Sequence, residues 1–192
     1  GVRVANNGGG NAVAVAEHTI TLMVSAYRKL HLQIAFARDG QWMGDLMGRF
    51  SEAYELAGKT VGIIGLGRIG RQVARRLAGW DCKLVYTEVV AVPAEIEEEL
   101  GVTRLSRDEL LRTADVVTLH VPLNGQTRGL ISDSELAAMK PTAVLINCSR
   151  GPVVDEAALV RGLQAREIAG AALDVLEVEP APSDNPLLAM DN

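Results

Sequence analysis

The stretch that decides the fold is Thr60-Val-Gly-Ile-Ile-Gly65-Leu-Gly67-Arg-Ile-Gly70-Arg-Gln-Val-Ala-Arg-Arg-Leu77. Its apolar run, Val61 to Ile64, has the length and composition of a buried parallel strand. The run breaks at a Gly-x-Gly-x-x-Gly turn (Gly65, Gly67, Gly70) and passes directly into a helical pattern with Ile69, Val73 and Leu77 on one face. Strand, glycine turn and helix in that order form the fingerprint of a dinucleotide-binding βα unit. Gly65 permits the tight turn, Gly67 lets the backbone approach a pyrophosphate, and Gly70 lets helix and strand pack closely. The helix start then offers unpaired N–H groups and a positive dipole end to the anion.

Downstream, apolar strands alternate with helical segments. Lys83 to Tyr86 is a second strand, Pro93 to Leu100 an acidic helix, and a short strand lies near Val102. Ser106 and Glu109 make a capping box that opens a helix to about Arg112, and Asp115 to Leu119 is a strand. Ser132 and Glu135 repeat the box for a helix to Met139, and Ala143 to Asn147 is another strand. Asp155 caps a helix to Ala165, and Gly170 to Leu173 is the last strand. The alternation implies an α/β chain of βαβ units, a Rossmann-type doubly wound parallel sheet in three αβα layers.

Ahead of the glycine turn, Gly1 to Ala5 reads as a short strand and Asn11 as a helix cap. Ala12 to Leu30 is helical, with Val13, Ala16, Ile20, Met23, Val24, Tyr27 and Leu30 recurring at three and four. His31 to Ala57 is an irregular arm containing Trp42, Phe50, Tyr54 and two Met residues, which reads equally as an oligomer contact or as a surface excursion. The chain opens at Gly1 without Met and stops at Asn192 without a closing element. It therefore reads as a piece of a longer polypeptide: a helix and arm over 1–57, a core over 58–180, and over 181–192 the start of a return to a further domain.

Composition narrows the function. A net charge of −5 lacks the basic footprint of a nucleic-acid binder. No apolar run approaches the ~20 residues of a membrane span, and no signal peptide is present. Cys82 and Cys148 lie in or beside strands without metal-ligand spacing, as expected of reduced, packed thiols in a cytoplasmic protein, and no metal site is expected.

Ligands of such a sheet bind beyond the carboxyl ends of its strands. Gathered there are Gly65 to Gly70, then Thr87 and Glu88, then His120, Val121 and Pro122, then Cys148, Ser149 and Arg150, and finally Asp174. Arg150 offers a permanently charged fork to a carboxylate. Asp174, Glu177 and Glu179 put three carboxylates just past the last strand, one of which could orient a histidine. Of the three histidines, His18 and His31 fall on the early helix, where His18 reads as a partly buried polar residue, and His120 reads as a pocket residue. None is assigned as a partner to these acids.

Several of these runs, in this order, resemble the D-isomer-specific 2-hydroxyacid dehydrogenases: Gly62 to Gly70, Ala114 to Pro122 with Thr127-Arg-Gly129, Met139-Lys-Pro141, Ile146 to Asp155, and Gly170 to Pro180. The front end from Asn11 to Glu17 is similar as well, and the pattern is phosphoglycerate-dehydrogenase-like. The resemblance implies an NAD-dependent oxidoreductase of small D-2-hydroxy acids and their 2-oxo forms, dimeric through this domain. Arg68 and Ile69 would lie on the pyrophosphate, and Val121 and Pro122 on the adenine side, with Thr127 in the same cofactor set. Cys148 and Ser149 would lie on the nicotinamide side, and Asp174 on its amide. Arg150 would be the catalytic arginine and Glu179 the glutamate paired with a catalytic histidine. That histidine belongs to a Pro-His-x-Gly segment expected past Asn192, so this chain alone is expected to bind NAD without turnover.

One position departs from the family pattern. Its ribose-binding acid would fall at Thr87, and the acid here is one residue later, at Glu88. Thr87 leaves NADP open, whereas the lack of a following Arg favours NAD. Two competing readings share the motifs: a non-catalytic NAD-sensing module of the co-repressor type, and a related enzyme with a donor such as formate or phosphite.

Overall fold

A computed structural model describes residues 2–3, 8–41 and 54–192. Six strands form one parallel sheet in the order β3-β2-β1-β4-β5-β6: β1 Thr60–Ile64, β2 Lys83–Thr87, β3 Val102–Arg104, β4 Val116–Leu119, β5 Val144–Asn147 and β6 Gly170–Leu173. The order reverses between β1 and β4, so the strand carrying the glycine turn lies at the switch point where a crevice opens. Registers such as Ile64↔Thr87, Ile64↔Leu119 and Leu119↔Asn147 bring the strand ends to one edge of the sheet.

Alternation along each strand builds two cores. Val61, Ile63, Val116, Val144 and Ile146 face one side, against α1 (Ala12–Tyr27), α3 (Arg68–Leu77) and α4 (Ala94–Leu100). Ile64, Val117, Leu119 and Leu145 face the other, against α5 (Arg107–Thr113), α6 (Asp133–Ala138) and α7 (Glu156–Gln164). Two helical layers therefore enclose the sheet, giving the three αβα layers that the alternation of strands and helices implies. The Ser106–Glu109 capping box forms in full, Asp155 accepts the Ala158 N–H at 2.9 Å, and Glu135 accepts the Ser132 N–H at 3.2 Å.

The front of the chain differs from its sequence reading. The early helix is broken: α1 stops at Tyr27, Lys29 adopts a left-handed conformation (φ 49°), and α2 (Leu30–Arg38) starts in a new direction. The buried stripe of α1 is Ala12, Ala16, Thr19, Met23 and Tyr27, whereas Val13 is exposed. Small residues and a self-bonded threonine let the helix lie close on α3 and the ends of β5 and β6, a signal that apolarity alone misses. Asn11 stands at the N-cap without a side-chain hydrogen bond. Of the expected first strand only residues 2 and 3 are described, and they have no regular structure; Trp42 and Phe50 lie outside the described residues.

Candidate functional site

The glycine turn matches its expected geometry. Gly65 has φ 98°, and a Cβ there would stand 2.7 Å from the His120 carbonyl oxygen, where the turn crosses the end of β4. A Cβ on Gly70 would stand 2.2 Å from the Gly65 oxygen, so α3 can pack this closely only without a side chain. A Cβ on Gly67 would meet nothing within 4 Å. That open space lies at the N-terminus of α3, where the N–H groups of the first turn have no intrahelical acceptor. A cradle of this shape and polarity fits a pyrophosphate. Arg68 lies beside it over the turn preceding α1, with its Cδ 2.6 Å from where a Gly9 Cβ would be. Arg71 braces the turn, its Nε donating to the Leu66 carbonyl at 3.1 Å, a contact that no sequence motif singles out.

Glu88 resolves the displaced acid. The last pairing of β2 leaves Thr87 with its carbonyl accepting the Gly65 N–H at 3.0 Å, and the longer Glu88 side chain folds back so that Oε2 accepts the Leu66 N–H at 3.0 Å. Its Oε1 accepts the Val89 N–H at 2.8 Å. The carboxylate therefore stands against the glycine turn, one residue late in sequence but in contact with the loop it would serve. Arg104, across the β2–β3 pair, donates to the Glu88 carbonyl at 2.8 Å, so a guanidinium lies closer to this corner than the sequence suggests.

At the end of β4, His120 turns inward. Its Nε2 lies 3.0 Å from Thr118 Oγ1, and Nδ1 is buried without a hydrogen-bond partner. Burial pushes its pKa down to about 4, so the ring is neutral near pH 7. Val121 and Pro122 follow at the surface. Thr127 braces them, its hydroxyl donating to the Pro122 carbonyl and accepting the Asn124 N–H.

The turn after β5 hangs from one side chain. Asn147, 1% exposed, accepts the Ser149 N–H (3.0 Å) and Ser149 hydroxyl (2.8 Å) at Oδ1, and donates from Nδ2 to the Arg150 carbonyl at 3.0 Å. Its own carbonyl accepts the Asp174 N–H at 3.0 Å. Cys148, Ser149, Arg150 and Asp174 are thereby fixed to one another. Arg150 is exposed, with Nη1 donating to the Ser149 carbonyl at 2.7 Å. Cys148 is buried, which pushes its thiol pKa up; the Thr19 hydroxyl draws it down and the Asp174 charge adds to the rise. An inert, packed thiol is the result.

The stretch leaving β6 lies against this turn. A Cβ on Gly151 would stand 1.8 Å from the Leu176 oxygen. Glu179 Oε1 accepts the Leu176 N–H at 3.0 Å. Glu156, the first residue of α7, holds the same stretch by two bonds, from the Glu177 N–H (2.8 Å) and Asn185 Nδ2 (2.7 Å). The partner that sequence reading did not assign is present on α1: His18 Nε2 lies 3.1 Å from Asp174 Oδ1. His31 belongs to α2 and meets the Asp191 carbonyl instead, at 3.0 Å.

The glycine turn is a shelf rather than a cavity. A groove of about 570 Å³ runs along β6, between α1 and residues 187–192, and reaches this edge of the sheet at Asp174 and Leu176. Among the described residues no cluster of His, Cys, Asp or Glu is arranged to hold a metal, and no helix is long and apolar enough to cross a membrane.

Residues 20–192 match the model of the D-isomer specific 2-hydroxyacid dehydrogenase, NAD binding domain. The chain is 43% identical to a D-3-phosphoglycerate dehydrogenase of Archaeoglobus fulgidus and 39% identical to a glyoxylate reductase of Korarchaeum cryptofilum. It is covered in full in both cases, and spans 36% and 58% of those proteins. Among solved structures it resembles the apo form of D-mandelate dehydrogenase from Rhodotorula graminis, with a TM-score of 0.91 and 34% identity over the whole chain and 56% of that protein. A shelf built on glycines, an acid folded onto it from β2 and an arginine turn at the same edge of the sheet thus come with matching sequence along nearly the whole chain, and the chain belongs to the D-isomer-specific 2-hydroxyacid dehydrogenases, as their NAD-binding domain.

Proposed function

We propose that the protein is an NAD-dependent oxidoreductase of small D-2-hydroxy acids and their 2-oxo counterparts, to which this chain contributes the cofactor domain, Arg150 and Glu179. The observation that carries the reading is the Asn147 network, which ties the exposed Arg150 turn to Asp174 at the same edge of the sheet as the glycine shelf. The dinucleotide, when bound, supplies a ring that gives or takes a hydride. Arg68 and Ile69 flank its pyrophosphate at the start of α3, and Gly67 leaves the room. Glu88 receives the adenosine ribose next to Thr87 and disfavours a 2′-phosphate by charge. Val121 and Pro122, braced by Thr127, line the adenine side, and His120 fills the wall behind them.

Cys148 and Ser149 line the nicotinamide side, with Asp174 accepting from the ring's amide. Arg150 grips the substrate carboxylate with its fork and draws electron density from the adjacent carbonyl. Glu179 orients a histidine that transfers the proton and is supplied from outside this chain. The exposed Leu30 and Ile34 on α2, a helix without buried residues, support a homodimer through this domain. The two unpaired thiols support a cytoplasmic location.

The test uses the longer protein that carries this domain. Arg150→Lys lowers kcat/KM for 2-oxo acid reduction by about 100-fold or more while leaving NADH affinity within severalfold, because a point charge cannot replace the fork. The isolated 192 residues bind NADH and turn nothing over. Full activity of Arg150→Lys, or appreciable reduction by the 192 residues alone, sinks the proposal.

A further inference from the structure

His18 lies on α1 and Asp174 closes β6, and the imidazole Nε2 stands 3.1 Å from Asp174 Oδ1. Both side chains are 47% exposed, so burial does not force the contact, and a pair this open adds little to stability. What it fixes is direction. The Asp174 main chain is held by its N–H on the Asn147 carbonyl, which leaves the carboxylate free to rotate about its own side-chain bonds. Among the described residues, His18 is the side chain whose hydrogen bond ends that freedom.

The imidazole is itself presented from a fixed support. Ala16 and Thr19, on either side of it, are fully buried, and Thr19 donates to the Val15 carbonyl at 2.7 Å while its hydroxyl lies beside Cys148. α1 therefore keeps its place whether or not His18 has a partner. An ionised carboxylate only accepts hydrogen bonds, and a donor on one oxygen leaves the other to be aimed.

We infer that His18 is a positioning residue for nicotinamide recognition: its Nε2–H holds Oδ1 of Asp174 so that Oδ2 faces the amide N–H₂ of the ring. The inference rests on the placement of that amide at Asp174 proposed above. It makes α1 part of the cofactor site, although the helix touches neither the glycine turn nor the Arg150 turn through this residue. Preorganisation of this kind shows as affinity for the half of the ligand that Asp174 contacts and not for the other half.

NADH and ADP-ribose separate the two halves, because ADP-ribose carries the adenosine and pyrophosphate without the nicotinamide. Titration of the 192-residue chain, by fluorescence for NADH and calorimetry for ADP-ribose, gives both affinities. His18→Leu weakens NADH by about three- to tenfold and leaves ADP-ribose within about twofold, the size of one ordinary hydrogen bond weakened by misalignment. His18→Gln, with an N–H of similar reach, restores most of the loss. On an Asp174→Asn background, His18→Leu has little further effect, because the two act through one contact. Equal losses for both ligands, an unchanged NADH affinity, or no rescue by Gln overturn the inference. A wild-type chain that binds neither ligand overturns the dinucleotide reading itself, and one that binds both equally tightly overturns the amide placement.

Discussion

Glu88 Oε2 accepts the Leu66 N–H at 3.0 Å, which seats an acid from the end of β2 on the loop that follows β1. In the proposed reading, the bond gives the carboxylate a fixed place from which to meet a ribose hydroxyl and to repel a phosphate. Arg104 stands close by, its guanidinium on the Glu88 carbonyl. Replacing Glu88 with Ser removes the repulsion and leaves the cation. The ratio of NADPH to NADH affinity is expected to rise by about tenfold or more, read by fluorescence titration of both nucleotides. An unchanged ratio would show that discrimination lies elsewhere.

The three glycines of the turn do different work, and alanine separates them. At Gly70 a Cβ collides with the Gly65 carbonyl at 2.2 Å, whereas at Gly67 it meets nothing. Gly70→Ala should cost about 2–4 kcal/mol of stability, seen in the urea midpoint. Gly67→Ala should change stability by no more than about 0.5 kcal/mol and still weaken NADH by over about tenfold, since the methyl group takes the space of the pyrophosphate. Tight NADH binding by Gly67→Ala would move the anion away from this shelf.

Asn147 is expected to matter for stability and for the Arg150 turn together. Asn147→Leu keeps the volume and strips the Ser149 N–H and the Arg150 carbonyl of their partner in a buried place. The expected loss is about 2–4 kcal/mol by denaturant titration, with NADH affinity falling as the Ser149 turn relaxes. Unaltered stability would mean that other groups hold this turn.

His120 gives the fold an acid-labile point. Its pKa is pushed down to about 4 in the native chain and is near 6.5 when unfolded, so the unfolded state binds the extra proton between those values. The associated stability is fully present above about pH 6.5 and declines as pH falls toward 4, by as much as about 3 kcal/mol. Urea midpoints at pH 7, 5.5 and 4.5 measure the slope, and His120→Asn should flatten it. A slope that survives the substitution would assign the effect to other groups.

Legibility from sequence followed the range of the interactions. The strand, turn and helix around Gly65 to Gly70 are set by neighbours a few residues apart, and their pattern names them. The doubly wound parallel sheet follows from βαβ alternation and the handedness of crossovers, whereas the order of its strands is set by pairings between distant segments. Thr87 and Glu88 were visible as a displaced acid, but only the three-dimensional return of the side chain shows that the displacement is absorbed. The break at Lys29 left no glycine or proline to announce it, so α1 and α2 read as a helix followed by an irregular arm. His18 and Asp174 meet because α1 crosses the ends of β5 and β6, a placement no local pattern encodes. Asn147 looked like the last residue of a strand; its role depends on which main-chain groups converge on it.

The two bonds from the Glu156 carboxylate, to the Glu177 N–H and to Asn185, hook the segment bearing Glu179 onto the opening turn of α7, on the opposite face of the sheet from α1. In the proposed reading, proton transfer and nucleotide capture are thus anchored to separate parts of the scaffold. On gentle warming, fraying at the first turn of α7 would release the acid while the shelf at Gly67 stayed intact, so such a molecule would go on sequestering its coenzyme after it had ceased to work.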